Sequence, residues 1–393
     1  MDLARARFLA SARGQAALAS LPPGLADEPV NRLADILRRD YPAGEAAALG
    51  EQVVLRARAA SRFTLPKDFL FTTDGLAMMT HPLVGARRAA RLACAGLPVV
   101  DLTCGLGGDL AACVSAGISS AGLEHDAATA ILAASNVAGA QIVLGDAARP
   151  PFDLQKVAVV IDPSRRSAAG RRFDPAAFSP TWDVAVAVLM EAPAGVLKGP
   201  PGIDHRHLPP FAELEWVQLG RSLREVAVWA GAGCTPGLRR AVSLPSGATI
   251  DSNDPEAPPE LAPPSSFLFD PEPCVTNAGL VRHLATRLGA SLMDSRVAYL
   301  TAAVPAFDDL AATFEVVERL PFSVSALKKT LRERRWKPDE IRRRAFPVEP
   351  DELRRLLGVV EGDPVTLVCT TLEGKRTVFV ARRLRKPAAT VIA

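Results

Sequence analysis

Short runs of aliphatic residues alternate with segments of helical spacing in the middle of the chain. A short, continuous apolar run predicts a strand that is buried on both faces. Strands of this kind that are separated by helices are typical of a parallel sheet with helices packed on either side. The pattern therefore predicts an α/β fold, with strands over residues 97–102, 120–123, 141–144, 157–161 and 195–197.

The other segments of the 393-residue chain predict further domains. Residues 1–80 show helical spacing and are predicted to form a helical N-terminal segment, followed by the sheet-bearing domain over residues 81–250. Residues 251–273 are rich in proline and acidic residues, which predicts a linker. A small α+β domain is predicted over residues 274–393, with helices over 280–288, from 324 to near Pro338 and over 351–358, a strand over 314–320 and a hairpin over 365–381.

The composition limits the classes of function open to this chain. Hydrophobic residues make up 48% of it and charged residues 23%, which excludes wholesale disorder. The net charge of +3 is small, so a nucleic-acid partner has to be inferred from a local basic patch. The uncharged residues 127–145 are interpreted as a helix and a short strand, not as a membrane span. The six cysteines form no Cys-x-x-Cys pair, and His205 and His207 are too few ligands for a metal, so we predict a cytoplasmic protein without a metal site.

A glycine-rich turn follows the first predicted strand. Residues 99–110 run from a strand through Gly105, Gly107 and Gly108 into a helix. Glycines at such a turn let the backbone approach a ligand, and the N-terminus of a helix offers free N–H donors. The spacing does not fit G-x-G-x-x-G, because Leu110 stands at the third glycine position. Alone, the loop is weak evidence for a nucleotide site.

Four acidic residues stand at the ends of successive predicted strands: Asp101, Glu124, Asp146 and Asp162. Ligands of open parallel sheets bind outside the carboxyl ends of the strands, and a carboxylate about 20 residues after the glycine turn is where a ribose is held. The alternative is that each acid is a loop residue or a helix N-cap. Because four acids recur in successive units, we interpret them as lining one crevice.

This arrangement resembles class I S-adenosylmethionine-dependent methyltransferases. The match consists of the loop over residues 101–109, Glu124, Asp146 with Ala147, and Asp162 with Pro163. The resemblance implies S-adenosylmethionine as cofactor, with its ribose on Glu124 and its adenine amino group at Asp146. The candidate cofactor-binding residues are Asp101, Thr103, Cys104, Gly105, Gly107, Gly108, Asp109, Glu124, His125, Asp146 and Ala147.

Nearly the full length of the chain is similar to a narrower group, the bacterial methyltransferases with a THUMP-like C-terminal domain. The similarity lies in residues 101–109, 161–166 and 198–204, and in the basic C-terminal region. It implies a Rossmann-like methyltransferase sheet, an N-terminal helical segment and a small α+β THUMP-like domain. Residues 214–219 and 239–244, with a helix-like segment over 222–230 between them, would supply the last two strands of that sheet. Ala77, Met78 and Met79 stand before Thr80 where the group leads us to expect Glu-Gln-Ala, so we predict no polar role for that turn.

The acceptor site is predicted after the fourth strand. Many amino-methylating enzymes have Asp-Pro-Pro and an aromatic residue at this strand end, and here Asp162 and Pro163 are followed by Ser164 and Arg165. The hydrogen-bond acceptors are therefore kept, and the arginine replaces the aromatic ring as a stacking or phosphate-binding group. A solvated turn is the alternative for Arg165, and a surface lysine is the alternative for Lys198 after the fifth strand. The candidate catalytic residues are Asp162, Pro163, Arg165 and Lys198.

Residues 328–344 are strongly basic. If this segment is a helix with Leu327 and Leu331 on its apolar face, its exposed face carries the basic side chains. Clustered positive charge of this kind is suited to binding phosphate backbones. THUMP domains bind RNA, so the resemblance implies an RNA partner; a solvated charged face is the alternative. We predict a methyltransferase that modifies an RNA base. The alternatives are a methyltransferase of a small molecule or protein, and a non-catalytic RNA-binding protein. The candidate RNA-binding residues are Lys328, Lys329, Arg332 and Arg335.

Overall fold

The computed structural model describes residues 1–22, 24–64, 68–164, 166–167, 170–171, 174–256, 258, 260–358 and 361–386. The chain forms two compact units. The first unit consists of Met1–Glu213 with Val226–Gly237, and the second consists of Leu214–Glu225 with Leu238–Ala393.

The described residues begin with six helices, continue with strands and helices in alternation, and then contain longer runs of strands. The helices are α1 (Leu3–Ala10), α2 (Ala12–Ser20), α3 (Val30–Leu37), α4 (Ala43–Ala60), α5 (Thr73–Met78), α6 (Pro82–Ala93), α7 (Gly108–Ser115), α8 (Ala127–Asn136), α9 (Trp182–Glu191), α10 (Pro273–Asn277), α11 (Val281–Leu288), α12 (Val324–Glu333) and α13 (Pro350–Leu357). The strands are β1 (Val99–Asp101), β2 (Ser120–Glu124), β3 (Gln141–Leu144), β4 (Ala158–Ile161), β5 (Arg166–Ser167), β6 (Gly170–Arg171), β7 (Ala194–Gly199), β8 (Glu213–Leu219), β9 (Ser222–Gly231), β10 (Arg239–Leu244), β11 (Ala248–Asp251), β12 (Phe267–Pro271), β13 (Ser291–Asp294), β14 (Val297–Ala302), β15 (Ala311–Pro321), β16 (Trp336–Arg344), β17 (Asp363–Leu372) and β18 (Lys375–Leu384).

The first unit is built on the predicted parallel sheet, in the order β3-β2-β1-β4-β7-β9. The first five of these strands are parallel, and β9 runs antiparallel to β7. The prediction of a helix over residues 222–230 is wrong, because this segment is β9. Its residues 226–230 are all buried, and Val226 and Val228 are β-branched, which favours a strand in the middle of a sheet. The antiparallel strand beside β7 is thus β9, and β10, which was predicted for the end of the sheet, pairs parallel with β8 in the second unit.

The N-terminal helices, which the helical spacing predicted, pack against the sheet-bearing part of the same unit. Leu9 of α1 and Leu49 of α4 share one apolar core with Leu132 of α8. Gln52 of α4 holds the backbone of Phe71 on both sides: its amide donates to the carbonyl at 2.7 Å and its oxygen accepts from the N–H at 2.9 Å. Helix α4 therefore fixes the segment that leads into α5.

The second unit contains a seven-stranded sheet in the order β13-β14-β12-β15-β18-β17-β16. Only β16 and β17 pair in parallel; the other strands pair antiparallel. Helices α12 and α13 cover one face of this sheet through Leu327, Leu331 and Leu353. The predicted hairpin is confirmed as β17 and β18, whose turn residues Glu373 and Gly374 adopt φ angles of 49° and 77°.

Two boundaries in the C-terminal half differ from the sequence prediction. The helix expected to reach Pro338 ends at Glu333, because Arg335 takes a φ of 54° and the chain then enters β16. Pro338 fits there because β16 is an edge strand, where a missing N–H is tolerated. The predicted linker over residues 251–273 contains all of β12, which pairs with β14 and β15.

The uncharged residues 127–145 form α8 and β3, as predicted. Among the described residues, every helix is too short or too polar to cross a membrane.

Candidate active site

The glycine loop joins β1 to α7 and requires glycine at two positions. Gly105 and Gly107 have φ angles of 53° and 89°, which favour glycine strongly. A Cβ on Gly107 would lie 2.6 Å from the Cγ2 of Val137, so this backbone also packs too closely for a side chain. Around Gly105 the space is open, since a Cβ there would meet no atom within 4 Å.

Glu124, the last residue of β2, holds this loop in place. Its Oε2 accepts a hydrogen bond from the N–H of Gly105 at 3.0 Å, and its Oε1 accepts from the N–H of Asp126 at 2.9 Å. The Nδ1 of His125 lies 2.9 Å from the same Oε1, while the rest of its side chain is exposed. Glu124 is buried, yet its Oε2, with one partner in the loop, can accept a second hydrogen bond. It can therefore hold the loop and a ligand hydroxyl together.

Asp101 and Thr103 connect the ends of β1 and β4. The carboxylate of Asp101 accepts from the N–H of Thr103 at 3.1 Å, and the hydroxyl of Thr103 accepts from the N–H of Asp162 at 2.6 Å. Asp101 is buried, and this burial raises the pKa of its carboxyl to about 6, although the hydrogen bond from Thr103 and the charge of Lys198 act in the opposite direction. Burial thus favours the protonated form of Asp101.

Lys198, near the end of β7, joins three side chains below the crevice. Its Nζ lies 2.5 Å from the Oδ2 of Asp162, 3.2 Å from the Oδ2 of Asp109 and 2.7 Å from the Oγ1 of Thr80. Only 9% of Lys198 is exposed, so this is a buried cation held by two carboxylates. The prediction that Lys198 faces the crevice is consistent with its contact to Asp162, and a free surface lysine is excluded.

Asp109 is engaged on both of its oxygens. Its Oδ1 forms an ion pair with Arg88 of α6, and its Oδ2 accepts from the hydroxyl of Thr80 at 2.6 Å as well as from Lys198. These contacts make it a member of a buried ion-pair network. The sequence prediction included Asp109 but missed two members, Thr80 and Arg88, to which it assigned no role. The signal for Arg88 was its place on the buried face of α6 between Val84 and Leu92, where an arginine needs a charged partner.

Asp162 follows β4 directly and is the most open member of this network, with 39% of its side chain exposed. Pro163 behind it is buried, and Ser164 exchanges backbone hydrogen bonds with Ser179 at 2.8 and 3.0 Å. The strand end that carries Asp162 is therefore fixed on both sides. Arg165, the remaining candidate at this position, lies outside the described residues.

The other predicted cofactor residues fall around the same strand ends. Asp146 lies two residues beyond β3 and is exposed, with its Oδ1 accepting from the N–H of Ala148 at 2.8 Å. Ala147 is buried. Cys104 is also buried, and burial raises the pKa of its thiol far above the usual range, so no reactive thiolate is expected in this loop. Within the described residues, no cluster of three His, Cys, Asp or Glu side chains could hold a metal ion.

The predicted RNA-binding residues differ from one another in their surroundings. Lys328, Lys329 and Arg332 lie on α12, and Arg335 lies in the turn after it. Arg332 and Arg335 are exposed, Lys328 is half-buried, and the exposed Lys329 lies 3.7 Å from Glu333. Farther along the basic segment, residues 342 and 344 are not available to a ligand, because both arginines form ion pairs with the buried Asp270 at 2.5 and 2.8 Å.

Comparisons with known proteins agree with this geometry. A family model described as "THUMP domain-like" matches residues 311–383, and a second, described as a domain of unknown function, matches residues 2–59. An uncharacterized S-adenosylmethionine-dependent methyltransferase of Mycobacterium tuberculosis strain H37Rv is 31% identical over 300 residues, which cover 72% of this chain and 81% of the relative. Its counterpart from strain CDC 1551 matches to the same extent. The chain belongs to the S-adenosylmethionine-dependent methyltransferases.

The cofactor of this methyltransferase is therefore S-adenosylmethionine, as the resemblance implied. The fold is also shared with a solved structure: a candidate methyltransferase from Porphyromonas gingivalis W83 is 22% identical, with a TM-score of 0.74 and 98% of each chain covered. The predicted fold class is thus confirmed, from the N-terminal helices through the α/β sheet to the THUMP-like C-terminal domain.

Proposed function

We propose that this methyltransferase modifies a base in RNA, with the acceptor beside Asp162 and the cofactor along the glycine loop. The observation that carries the proposal is the combination in one chain of a methyltransferase crevice and a THUMP-like region whose helix α12 exposes basic side chains. THUMP domains bind RNA, and exposed cations without carboxylate partners are suited to phosphates. Arg332 and Arg335 are of this kind among the described residues.

The residues of the crevice fit S-adenosylmethionine. The open space at Gly105 leaves room for a ligand against the backbone, and Glu124 keeps spare acceptor capacity for ribose hydroxyls. The exposed Asp146 has a second oxygen for an adenine amino group. When bound, the cofactor supplies an electrophilic methyl group, and the residues assigned to it here orient it and exclude water.

Asp162 orients the acceptor in this proposal. The cofactor would supply the methyl group and keep the electrons of its carbon–sulfur bond, and a proton of the acceptor nitrogen would pass to solvent. Lys198 fixes Oδ2 of Asp162, which leaves Oδ1 for the N–H of the acceptor. Correct alignment of such a displacement accounts for much of the rate enhancement. Lys198 is then a positioning residue for Asp162.

The experiment is methyl transfer from labelled S-adenosylmethionine to fractions of a lysate from cells that lack the gene. We expect label in the RNA fraction, and less of it with Arg332→Glu plus Arg335→Glu, because phosphate binding is lost. The matched control is Arg38→Glu plus Arg39→Glu, which reverses two exposed arginines in the first unit. Label in protein or in small molecules with none in RNA would contradict the proposal.

That outcome would support the second candidate, a methyltransferase of a protein or a small molecule. The sequence at position 165 favours it, because an arginine stands where many amino-methylating enzymes have the aromatic residue that stacks on a base. A cytoplasmic location is part of the main proposal, since all six cysteines are free thiols.

A further inference from the structure

An open cleft of about 770 Å³ lies in the second unit, and all of its lining residues belong to that unit. We call it the β18 cleft, because Arg383, Arg385 and Lys386 at the end of β18 line one part of it. Phe307 and Asp309, from the loop before β15, line another part. Its volume is within the range of small-ligand sites, about 300–1,000 Å³.

The cations of the β18 cleft are only partly neutralised. Arg383 lies 3.5 Å from Glu340, which also pairs with Arg342 and Arg221. By contrast, Arg385 and Lys386 are exposed and form no ion pair with the residues that the structure describes. These two side chains are therefore available to an anion.

The acids of the β18 cleft also differ in whether they have a partner. Asp308 lies 3.7 Å from Arg287 and accepts from the N–H of Leu310 at 2.8 Å, and Glu272 accepts from Gln218 at 2.5 Å. Asp309 is exposed and has no such partner in the described part of the chain. The cleft thus combines two uncommitted cations with one uncommitted carboxylate and the half-exposed ring of Phe307.

We infer that the β18 cleft binds an unpaired nucleotide of RNA that carries an amino group on its base. Arg385 and Lys386 hold the phosphate, Phe307 stacks on the base, and Asp309 accepts from the exocyclic amino group. Aromatic side chains and basic grooves together are the usual means of binding single strands, and a carboxylate reads the amino group of cytosine. The inference rests on the proposed function, because it assumes an RNA substrate.

The test measures binding of the full-length protein to twelve-nucleotide oligocytidylate and oligouridylate, two pyrimidine strands of equal charge that differ in the amino group. We expect wild type to prefer oligocytidylate. Arg385→Glu with Lys386→Glu should weaken binding of oligocytidylate about tenfold or more, and should reduce the slope of log affinity against log salt by about 0.7, the value for one lost phosphate contact on a single strand. Phe307→Ala should weaken both oligonucleotides, by about fivefold or more on the scale of one lost stacking contact.

The matched control is Lys375→Glu with Arg376→Glu, which reverses two exposed residues at the other end of the same strand, about 30 Å away. It should change affinity less than twofold. Equal losses in both charge-reversal variants would show general attraction only and overturn the inference. So would a wild-type affinity in Arg385→Glu with Lys386→Glu.

Asp309→Asn separates recognition of the base from attraction of the phosphate. Asparagine presents a donor as well as an acceptor, so the preference for oligocytidylate should disappear while oligouridylate binds at least as tightly as before. An unchanged preference would overturn the assignment of Asp309. If wild type binds RNA but the cleft variants do not differ from it, only this inference fails; if wild type binds no RNA, the proposed function fails with it.

Discussion

The ammonium group of Lys198 lies 2.5 Å from the Oδ2 of Asp162, so a buried cation holds the carboxylate at the mouth of the crevice. The two residues come from neighbouring parallel strands, β7 and β4, whose carboxyl ends lie at the same edge of the sheet. Because Lys198 is itself fixed by Asp109 and Thr80, the orientation of Asp162 is tied to the helix that follows the glycine loop. The acceptor side and the cofactor side of the crevice thus share one network.

Replacement of Asp162 should affect chemistry far more than cofactor binding. Asp162→Ala should lower the single-turnover rate of methyl transfer by roughly a hundredfold or more, the scale for lost positioning. Asp162→Asn should lose less, because it keeps an acceptor oxygen. Calorimetry with S-adenosylmethionine is the control and should give near wild-type affinity for both variants. A wild-type rate in Asp162→Ala would place the acceptor elsewhere in the crevice.

Replacement of Glu124 should weaken cofactor binding. Glu124→Ala removes the acceptor of the Gly105 N–H and the proposed ribose ligand together, so we expect a loss of about 1.5–3 kcal/mol in binding free energy. Asp146→Ala should cost less because Asp146 is exposed. Gly105→Arg should abolish binding by filling the open space beside the loop. Undiminished calorimetric affinity in both Glu124→Ala and Gly105→Arg would show that the cofactor lies elsewhere.

The buried Asp101 predicts a pH dependence of stability. Its carboxyl has a pKa of about 6 in the folded protein against 3.8 in the unfolded chain, so folding favours the protonated form. Its contribution is therefore fully present below pH 3.8 and is lost as the pH rises through about 6, a loss of at most about 3 kcal/mol. Asp101→Asn should match wild type near pH 4 and melt at a higher temperature above pH 6. If the wild-type protein melts at the same temperature at pH 5 and at pH 8, this assignment is contradicted.

The network around Asp109 should matter mainly for stability. Asp109→Asn leaves Arg88 and Lys198 buried with too few negative partners, and removal of one partner of a buried pair costs about 3–5 kcal/mol. Chemical denaturation measures this loss. The control Asp153→Asn removes a carboxylate from an exposed pair with Lys156 and should leave the unfolding midpoint unchanged. A wild-type midpoint with weakened cofactor binding would instead assign Asp109 to the cofactor.

The strand-end acids could be predicted from the sequence because each follows its own apolar run. Asp101, Glu124 and Asp162 need only local pattern and the rule that parallel strands end at one edge. Thr80 and Arg88 could not be placed in this way, because their partners Asp109 and Lys198 are distant in sequence and meet them only after the sheet and α6 have packed.

The predicted secondary structure is wrong where the local propensity of the residues and their position in the tertiary structure disagree. Residues 222–230 contain helix-forming residues, yet burial of residues 226–230 beside β7 selects a strand. Over residues 328–344, basic residues continue beyond Glu333, which favoured a longer helix. The chain instead turns at Arg335 and forms β16. As a result, the arginines at 342 and 344, which sequence alone added to the basic patch, are committed to Asp270.

The central claim, methylation of an RNA base beside Asp162, is tested most directly by mass spectrometry of nucleosides from total RNA. Three strains are compared: one lacking the gene, one complemented with wild type, and one complemented with Asp162→Ala. We predict that one methylated nucleoside is missing from the first strain, returns with wild type and does not return with Asp162→Ala. Identical nucleoside profiles in the deletion strain and the wild-type complement would contradict the account.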